Sequence, residues 1–111
     1  MRVGIDILEI DRLEQLLHDS LFLSKVLSGP EQEIYNNYGI KRQRSFLGGR
    51  FCAKEALYKA FGSDFADYSH VVILNDEQGR PYVRNYPKIE ISIAHERHYA
   101  LAIASGEADK L

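Results

Sequence analysis

Five side chains of this 111-residue sequence are candidates for chemistry: Asp6, Arg50, Glu55, Lys59 and His95. Asp6 interrupts an alternating apolar segment, where a buried carboxylate is costly unless a partner compensates its charge. That partner is either an arginine or a set of backbone N–H groups, and the functional alternative is a metal ion. Glu55 and Lys59 are four residues apart, the spacing of an ordinary surface ion pair on a helix. Taken one at a time, these residues therefore have structural explanations.

The longest predicted helix, Ser45–Phe61, gives a reason to look further. It contains two adjacent glycines and three cations: Gly48, Gly49, Arg50, Lys54 and Lys59. Each glycine costs about 1 kcal/mol relative to alanine inside a helix, so we expect another backbone or a ligand to approach there closely. The cations form either a solvated helical face or a cradle for a polyphosphate with Glu55 at its centre.

The donor types narrow the metal that this sequence could bind. Asp6 and Glu55 supply oxygen, and no cysteine or histidine cluster accompanies them. Mg²⁺ takes one or two carboxylates, several waters and phosphate oxygens, which fits this pair if the fold brings the two side chains together. His95 follows a predicted strand and has a structural role as its alternative. Cys52 is expected to be a small buried apolar residue rather than a nucleophile.

Composition sets the broad class. With 45% hydrophobic and 27% charged residues, the chain is predicted to form one domain over residues 1–111. The net charge of −2 argues against a general binder of nucleic acid or of an anionic membrane surface. One cysteine cannot form an intrachain disulfide. No apolar run resembles a signal peptide or a membrane span, so a cytoplasmic protein is expected.

Periodicity predicts the elements that must position these side chains. A strand over Arg2–Ile10 precedes a helix that Asp11 caps and that frays near Asp19–Ser20. A second helix is expected over Pro30–Tyr38, before the long helix. The remaining strands are predicted over 71–74, 81–83, 89–93 and 99–104, with a turn at 76–79. The order indicates an α+β fold, an antiparallel sheet with helices packed on one face.

Five segments together resemble the holo-acyl carrier protein synthases of the 4′-phosphopantetheinyl transferase superfamily. They are Gly4–Arg12, Phe46–Ala56, Lys59–Gly62, Asp76–Pro81 and Ser92–Glu96. Their order matches the family and they span nearly the whole chain. The resemblance implies the 4′-phosphopantetheinyl transferase fold. It also implies transfer of 4′-phosphopantetheine from coenzyme A to a serine of apo-acyl carrier protein, releasing 3′,5′-ADP, in support of fatty acid biosynthesis.

The resemblance also implies a role for each site residue. Asp6 and Glu55 match the carboxylates that hold Mg²⁺, and Lys59 and Arg50 match basic residues near the coenzyme A phosphates. His95 matches a histidine beside the diphosphate. Gly79 and Pro81 match positions bordering the adenine pocket, and Arg12 matches a basic residue on the helix that meets the carrier. The serine proton is expected to pass to a water on the metal, oriented by Glu55 or Asp6, with His95 as the alternative base.

Two features depart from the family pattern. The first helix carries Glu14, Gln15 and Asp19 where family members often have several basic residues, so carrier docking is expected to be less basic. Cys52 stands where the family usually has a small residue such as alanine, which predicts a difference in packing.

The last strand predicts a homo-oligomer. Tyr99, Leu101 and Ile103 lie on one side and alanines on the other, so both faces need cover. The resemblance implies a trimer with active sites between subunits. Two rival hypotheses remain at this point: a module that binds coenzyme A or a nucleotide without transferring anything, and a structural domain whose Asp6 and Glu55 bind arginines.

Overall fold

The computed structural model describes residues 1–110, which form two antiparallel sheets and three α-helices. The strands are β1 (Arg2–Glu9), β2 (Ile73–Asn75), β3 (Pro81–Val83), β4 (Ile89–His95) and β5 (Tyr99–Gly106). The helices are α1 (Ser20–Val26), α2 (Gly29–Asn36) and α3 (Ile40–Phe61). Short 3-10 helices cover Ile10–Leu16, Gly62–Phe65 and Tyr68–His70. The α+β prediction is confirmed, with the sheet divided into β1-β5-β4 and a separate β2-β3 hairpin.

Helix α3 packs directly on β1 and β5 because small residues line the contact. A Cβ atom added at Gly4 of β1 would lie 2.1 Å from the carbonyl oxygen of Ala56. On β5, Ala100, Ala102 and Ala104 are fully or almost fully buried against the same helix. This close approach brings the two segments with the candidate site residues together. Among the helices of residues 1–110, none has the length and apolar character needed to cross a membrane.

The apolar residues of β1 do not enter this core. Val3, Ile5 and Ile7 are 64%, 56% and 66% exposed, while Gly4, Asp6 and Leu8 alternate with them. The register pairs Ile5 with Ile103 and Ile7 with Leu101, so apolar side chains of β1 and β5 share the outer sheet face. The expectation that the apolar positions around Asp6 are buried is wrong within one chain, because α3 covers the other face.

The first helical region differs from its prediction. Ile10–Leu16 is a 3-10 helix, and α1 begins at Ser20, where the predicted helix was expected to fray. Asp19 caps α1 by accepting a hydrogen bond from the backbone N–H of Phe22 at 3.0 Å. Asp11 caps nothing, because its carboxylate pairs with the side chains of Arg44 and His98.

The later helices begin earlier than predicted. Helix α2 begins at Gly29, where Ser28 and Glu31 form a capping box. Helix α3 begins at Ile40 rather than Ser45 and ends at Phe61, before Gly62 with φ 81°, as expected. The neighbours of Gly48 and Gly49 are the side chains of Ile10 and Ile93, each 3.1 Å from an added Cβ. The expected close approach of a backbone occurs instead at Gly4.

Candidate active site

Asp6 is held on both sides by residues of α3. Its side chain is 16% exposed, and Oδ1 accepts a hydrogen bond from Nζ of Lys59 at 3.0 Å. The Cys52 thiol lies 3.4 Å from Oδ2 and donates to the main-chain oxygen of Asp6 at 3.0 Å. The partner of Asp6 is therefore a lysine rather than an arginine or a set of backbone N–H groups, and that lysine is itself a predicted site residue.

Glu55 lies one helical turn before Lys59 and shares its electrostatic environment. Burial raises the pKa of Tyr68, and the nearby Glu55 carboxylate raises it further. The hydrogen bond and charge of Asp6 raise the pKa of Lys59, with a smaller contribution from Glu55. Both carboxylates thus act on the same two neighbours, Lys59 and Tyr68.

The donor set of this region suits a hard cation. Among residues 1–110, no group of three or more His, Cys, Asp or Glu side chains is arranged to hold a metal. Two carboxylates are nevertheless enough for Mg²⁺, which commonly fills its remaining positions with water and phosphate oxygens. The Asp6 and Glu55 oxygens therefore fit a cation that is bound jointly with a phosphate-containing substrate.

The other predicted residues line a cavity of about 710 Å³. Its wall includes Arg50, Gly79, Pro81 and His95, which belong to α3, the β2–β3 turn, β3 and the end of β4. A second cavity of about 650 Å³ shares His95 and Ser45 with the first. It is lined by three cations: Lys41, Arg44 and Arg97. The structure thus brings four of the predicted binding residues together.

Asp6, Glu55 and Lys59 do not line either cavity. Arg50 and Lys59 are nine residues apart on α3, about two and a half turns, so they project from opposite sides of the helix. One chain therefore presents two separate groups. We call Asp6, Glu55 and Lys59 the carboxylate half-site, and Arg50, Gly79, Pro81 and His95 the cavity half-site.

Lys54 does not belong to the expected phosphate cradle. Its side chain is 0% exposed, and Nζ donates to Glu31 Oε1 at 2.5 Å and to the carbonyl oxygens of Val26 and Tyr68 at 2.8 and 2.9 Å. Burial lowers the pKa of Lys54 and the Glu31 carboxylate opposes that shift. The proposal of a cradle with three cations is wrong for this residue, because its ammonium cannot reach a ligand.

Sequence reasoning missed several residues that shape the site. Arg42 and Asn75 line the larger cavity, Tyr68 contacts Glu55, and Glu31 binds Lys54. The run of positive charge over Lys41–Arg44 could have indicated that Arg42 belongs to a binding surface. No local pattern marks Asn75, and the capping box that marks Glu31 gives no sign of Lys54, because Arg50 and Lys54 lie far away in sequence from their partners.

Residues 2–104 match the family model described as the 4′-phosphopantetheinyl transferase superfamily. The chain belongs to this superfamily. A holo-[acyl-carrier-protein] synthase from an Exiguobacterium species is 42% identical over 106 residues, covering 90% of this chain and 86% of that protein. A Geobacillus protein of the same name is 39% identical over 107 residues and covers 90% of each chain.

Solved structures of this superfamily have the same fold. A holo-(acyl-carrier-protein) synthase from Bacillus anthracis, solved in complex with CoA (3′,5′-ADP), superimposes with a TM-score of 0.86 at 29% identity. The match covers 97% of this chain and 96% of that one. The Plasmodium yoelii holo-ACP-synthase gives a TM-score of 0.77 at 26% identity, covering 93% and 91% of the two chains. The predicted phosphopantetheinyl transferase fold is confirmed.

Proposed function

We propose that this superfamily member transfers 4′-phosphopantetheine from coenzyme A to a serine of apo-acyl carrier protein, releasing 3′,5′-ADP. The whole chain forms the single catalytic domain, and it acts in the cytoplasm in support of fatty acid biosynthesis. The observation that carries the proposal is the carboxylate half-site, in which Asp6 of β1 pairs with Lys59 of α3 and Glu55 lies one helical turn before that lysine. The holo-[acyl-carrier-protein] synthases that are 42% and 39% identical to this chain support the same reaction.

Asp6 and Glu55 would hold Mg²⁺. When bound, the ion supplies positive charge that stabilises the phosphate oxygens during transfer. Lys59 then exchanges its hydrogen bond to Asp6 for one to a phosphate oxygen, since its side chain is 52% exposed and free to move. Lys59 is charged at neutral pH at its ordinary pKa, and the hydrogen bond to Asp6 raises that pKa further.

The transfer is a displacement at phosphorus. The carrier serine oxygen forms a bond to the phosphorus next to pantetheine, and the bridging P–O bond to 3′,5′-ADP breaks. A water oriented by Glu55 or Asp6 accepts the serine proton, and His95 is the alternative acceptor. Arg50, Lys59 and His95 contact the diphosphate, so the negative charge that develops on its oxygens is stabilised. Gly79 and Pro81 border the adenine.

Two features support a homotrimer with its active sites between subunits. The outer face of the β1-β5-β4 sheet exposes Val3, Ile5 and Ile7 beside Leu101 and Ile103, an apolar surface that a second copy would cover. The two half-sites lie on opposite sides of α3, so the carboxylate half-site of one chain meets the cavity half-site of the next. The proposed number of three subunits rests on the resemblance to the family.

The transfer reaction is tested by incubating the protein with Mg²⁺, coenzyme A and apo-acyl carrier protein. The mass of the carrier is then measured by mass spectrometry. Addition of one phosphopantetheine group is expected. A module that only binds would take up coenzyme A without changing the carrier, and a structural domain would do neither. Either result contradicts the proposal.

The metal assignment is tested by the substitution Glu55→Gln. The matched control is Glu33→Gln, at an exposed position of α2. Glu55→Gln keeps the shape of the side chain and removes the charge that holds Mg²⁺, so we expect transfer to be nearly abolished with the fold intact. Its Mn²⁺ affinity, measured by electron paramagnetic resonance, should fall as well. Full activity of Glu55→Gln at limiting Mg²⁺ would contradict the assignment.

The shared site is tested by dilution. If neighbouring chains complete each active site, transfer per chain falls at the concentrations where light scattering shows dissociation. A monomer that is fully active at every concentration would refute the shared site and leave the transfer reaction itself untouched.

A further inference from the structure

Arg50 is a buried cation with few partners. Its side chain is 7% exposed, and Nε is buried without a hydrogen bond, 3.8 Å from Oε2 of Glu31. The guanidinium lies over the ring of Phe46, 4.5 Å from the ring centre. Within residues 1–110, its one hydrogen bond runs from Nη2 to Oδ1 of Asn75 at 2.5 Å. Among these contacts, the one that fixes the guanidinium by a hydrogen bond comes from Asn75, an exposed asparagine that also lines the larger cavity.

Asn75 is also tied to the β2–β3 turn. It is the last residue of β2, and its Nδ2 donates to the carbonyl oxygen of Gly79 at 2.9 Å. The side-chain amide of Asn75 therefore accepts a hydrogen bond from Arg50 of α3 with Oδ1 and donates one to the turn with Nδ2. Since Gly79 and Arg50 both line the cavity, one side chain connects two of its walls.

The turn itself is a rigid support. Oδ1 of Asp76 accepts hydrogen bonds from the backbone N–H groups of Gln78 and Arg80, each at 2.9 Å. Strand β2 is fastened from the other end, because the N–H of Ile73 donates to Oε2 of buried Glu31 at 3.0 Å. Asn75 therefore presents its oxygen to Arg50 from a fixed backbone.

We propose that Asn75 is a positioning residue that fixes the Arg50 guanidinium for the phosphate groups of coenzyme A. The inference rests on the proposed function, because it takes the cavity half-site to bind coenzyme A. A preoriented guanidinium loses little rotational freedom when a phosphate binds, which favours binding without any direct contact between Asn75 and the ligand. On this proposal, Asn75 acts on the ligand through its hydrogen bond to Arg50 and not through its bond to Gly79.

The binding experiment compares Asn75→Ala with the matched control Asn37→Ala. Asn37 is also exposed and donates from Nδ2 to a carbonyl oxygen, that of Glu33 at 3.0 Å, but it does not line the cavity. By calorimetry, Asn75→Ala should bind coenzyme A about tenfold more weakly, the effect of one charge-assisted hydrogen bond. The kcat/KM for coenzyme A should fall by about tenfold or more, because Arg50 also stabilises the charge that develops on the diphosphate. Asn37→Ala should match the wild type in affinity and Tm.

A double-mutant cycle tests whether Asn75 acts through Arg50. In an Arg50→Ala background, Asn75→Ala should change the coenzyme A affinity by less than about twofold, because the group that it positions is absent. A tenfold loss in both backgrounds would overturn the proposal, since Asn75 would then act without Arg50, either by contacting the ligand or through its bond to Gly79. Equal affinity of Asn75→Ala and the wild type would overturn it as well.

A ligand-free measurement separates this inference from the proposed function. Rotation of the Arg50 guanidinium, followed by arginine side-chain NMR, should be restricted in the wild type and in Asn37→Ala and fast in Asn75→Ala. Asn75→Asp keeps the acceptor and should restore the restriction. Fast rotation in the wild type refutes the positioning role alone. Failure of the wild type to bind coenzyme A refutes the proposed function, and with it the assignment of the oriented guanidinium to that ligand.

Discussion

Lys54 and Lys59 lie five residues apart on α3, and the structure predicts opposite effects for the same substitution. Lys54→Met removes three hydrogen bonds and leaves the Glu31 carboxylate, 0% exposed, without its hydrogen-bonded cation, while Nε of Arg50 stays 3.8 Å from Oε2. Breaking a buried ion pair in this way costs about 3–5 kcal/mol of unfolding free energy. At roughly 4–5 °C per kcal/mol for a chain of this length, the Tm should fall by roughly 12–25 °C.

Lys59→Met is the matched control. The Lys59–Asp6 pair is half exposed on the lysine side, so solvent screening leaves it only a small contribution to stability. This variant should keep its stability and lose coenzyme A affinity and turnover. Lys54→Met, assayed well below its Tm, should retain more transfer activity than Lys59→Met. Both variants are unfolded in urea at the same protein concentration, because dissociation of an oligomer changes the apparent stability.

The double variant Glu31→Gln with Lys54→Met shows whether Lys54→Met is destabilised by an unpaired charge or by a loss of packing. Neutralising Glu31 removes the uncompensated carboxylate, so part of the lost stability should return. A loss below about 1 kcal/mol in Lys54→Met would refute the reasoning. Equal destabilisation by Lys54→Met and Lys59→Met would refute it too.

Three further predictions concern other parts of the molecule. Gly4→Ala should lower the unfolding free energy by about 1–3 kcal/mol or more, because the new Cβ meets the Ala56 carbonyl oxygen at 2.1 Å; Gly29→Ala, whose Cβ meets nothing within 4 Å, should not. Burial raises the pKa of Cys52 from 9.0 to about 12, so about 10⁻⁴ of the thiol is ionised at pH 8. Alkylation by iodoacetamide should be correspondingly slow, and the unfolding free energy should fall above pH 9, where the unfolded thiol ionises first. Arg12→Glu should slow association with the carrier and flatten its salt dependence, with little change in coenzyme A affinity; an unchanged association rate at low salt would place docking elsewhere.

The sequence by itself determined the kinds of element and the positions of the motifs. Alternation predicted β1 and β4, and Gly62 marked the end of α3, because strand periodicity and the left-handed conformation of glycine are local properties. Asp6 stood out since a carboxylate in an apolar strand needs a partner. The residue types of Asp6 and Glu55 then indicated a hard cation.

Tertiary structure decided which of the charged residues are structural. On the sequence, Lys54 and Lys59 are equivalent cations of one helix, and their roles separate only when Glu31 of α2 meets the first and Asp6 of β1 meets the second. Asn75 likewise became notable only through Arg50, which is 25 residues away along the chain. Such contacts depend on how the elements pack, which no local pattern encodes.

The two faces of β1 also show which properties the sequence determined and which the tertiary structure decided. Alternation predicted that Val3, Ile5 and Ile7 share one face, and it could not show which face α3 would cover. Gly4 decides this, because only a residue without a side chain lets the backbone of α3 approach β1 so closely. The face with the fewest side-chain atoms therefore takes the helix, Asp6 is carried toward Lys59, and the larger apolar side chains remain on the outer surface.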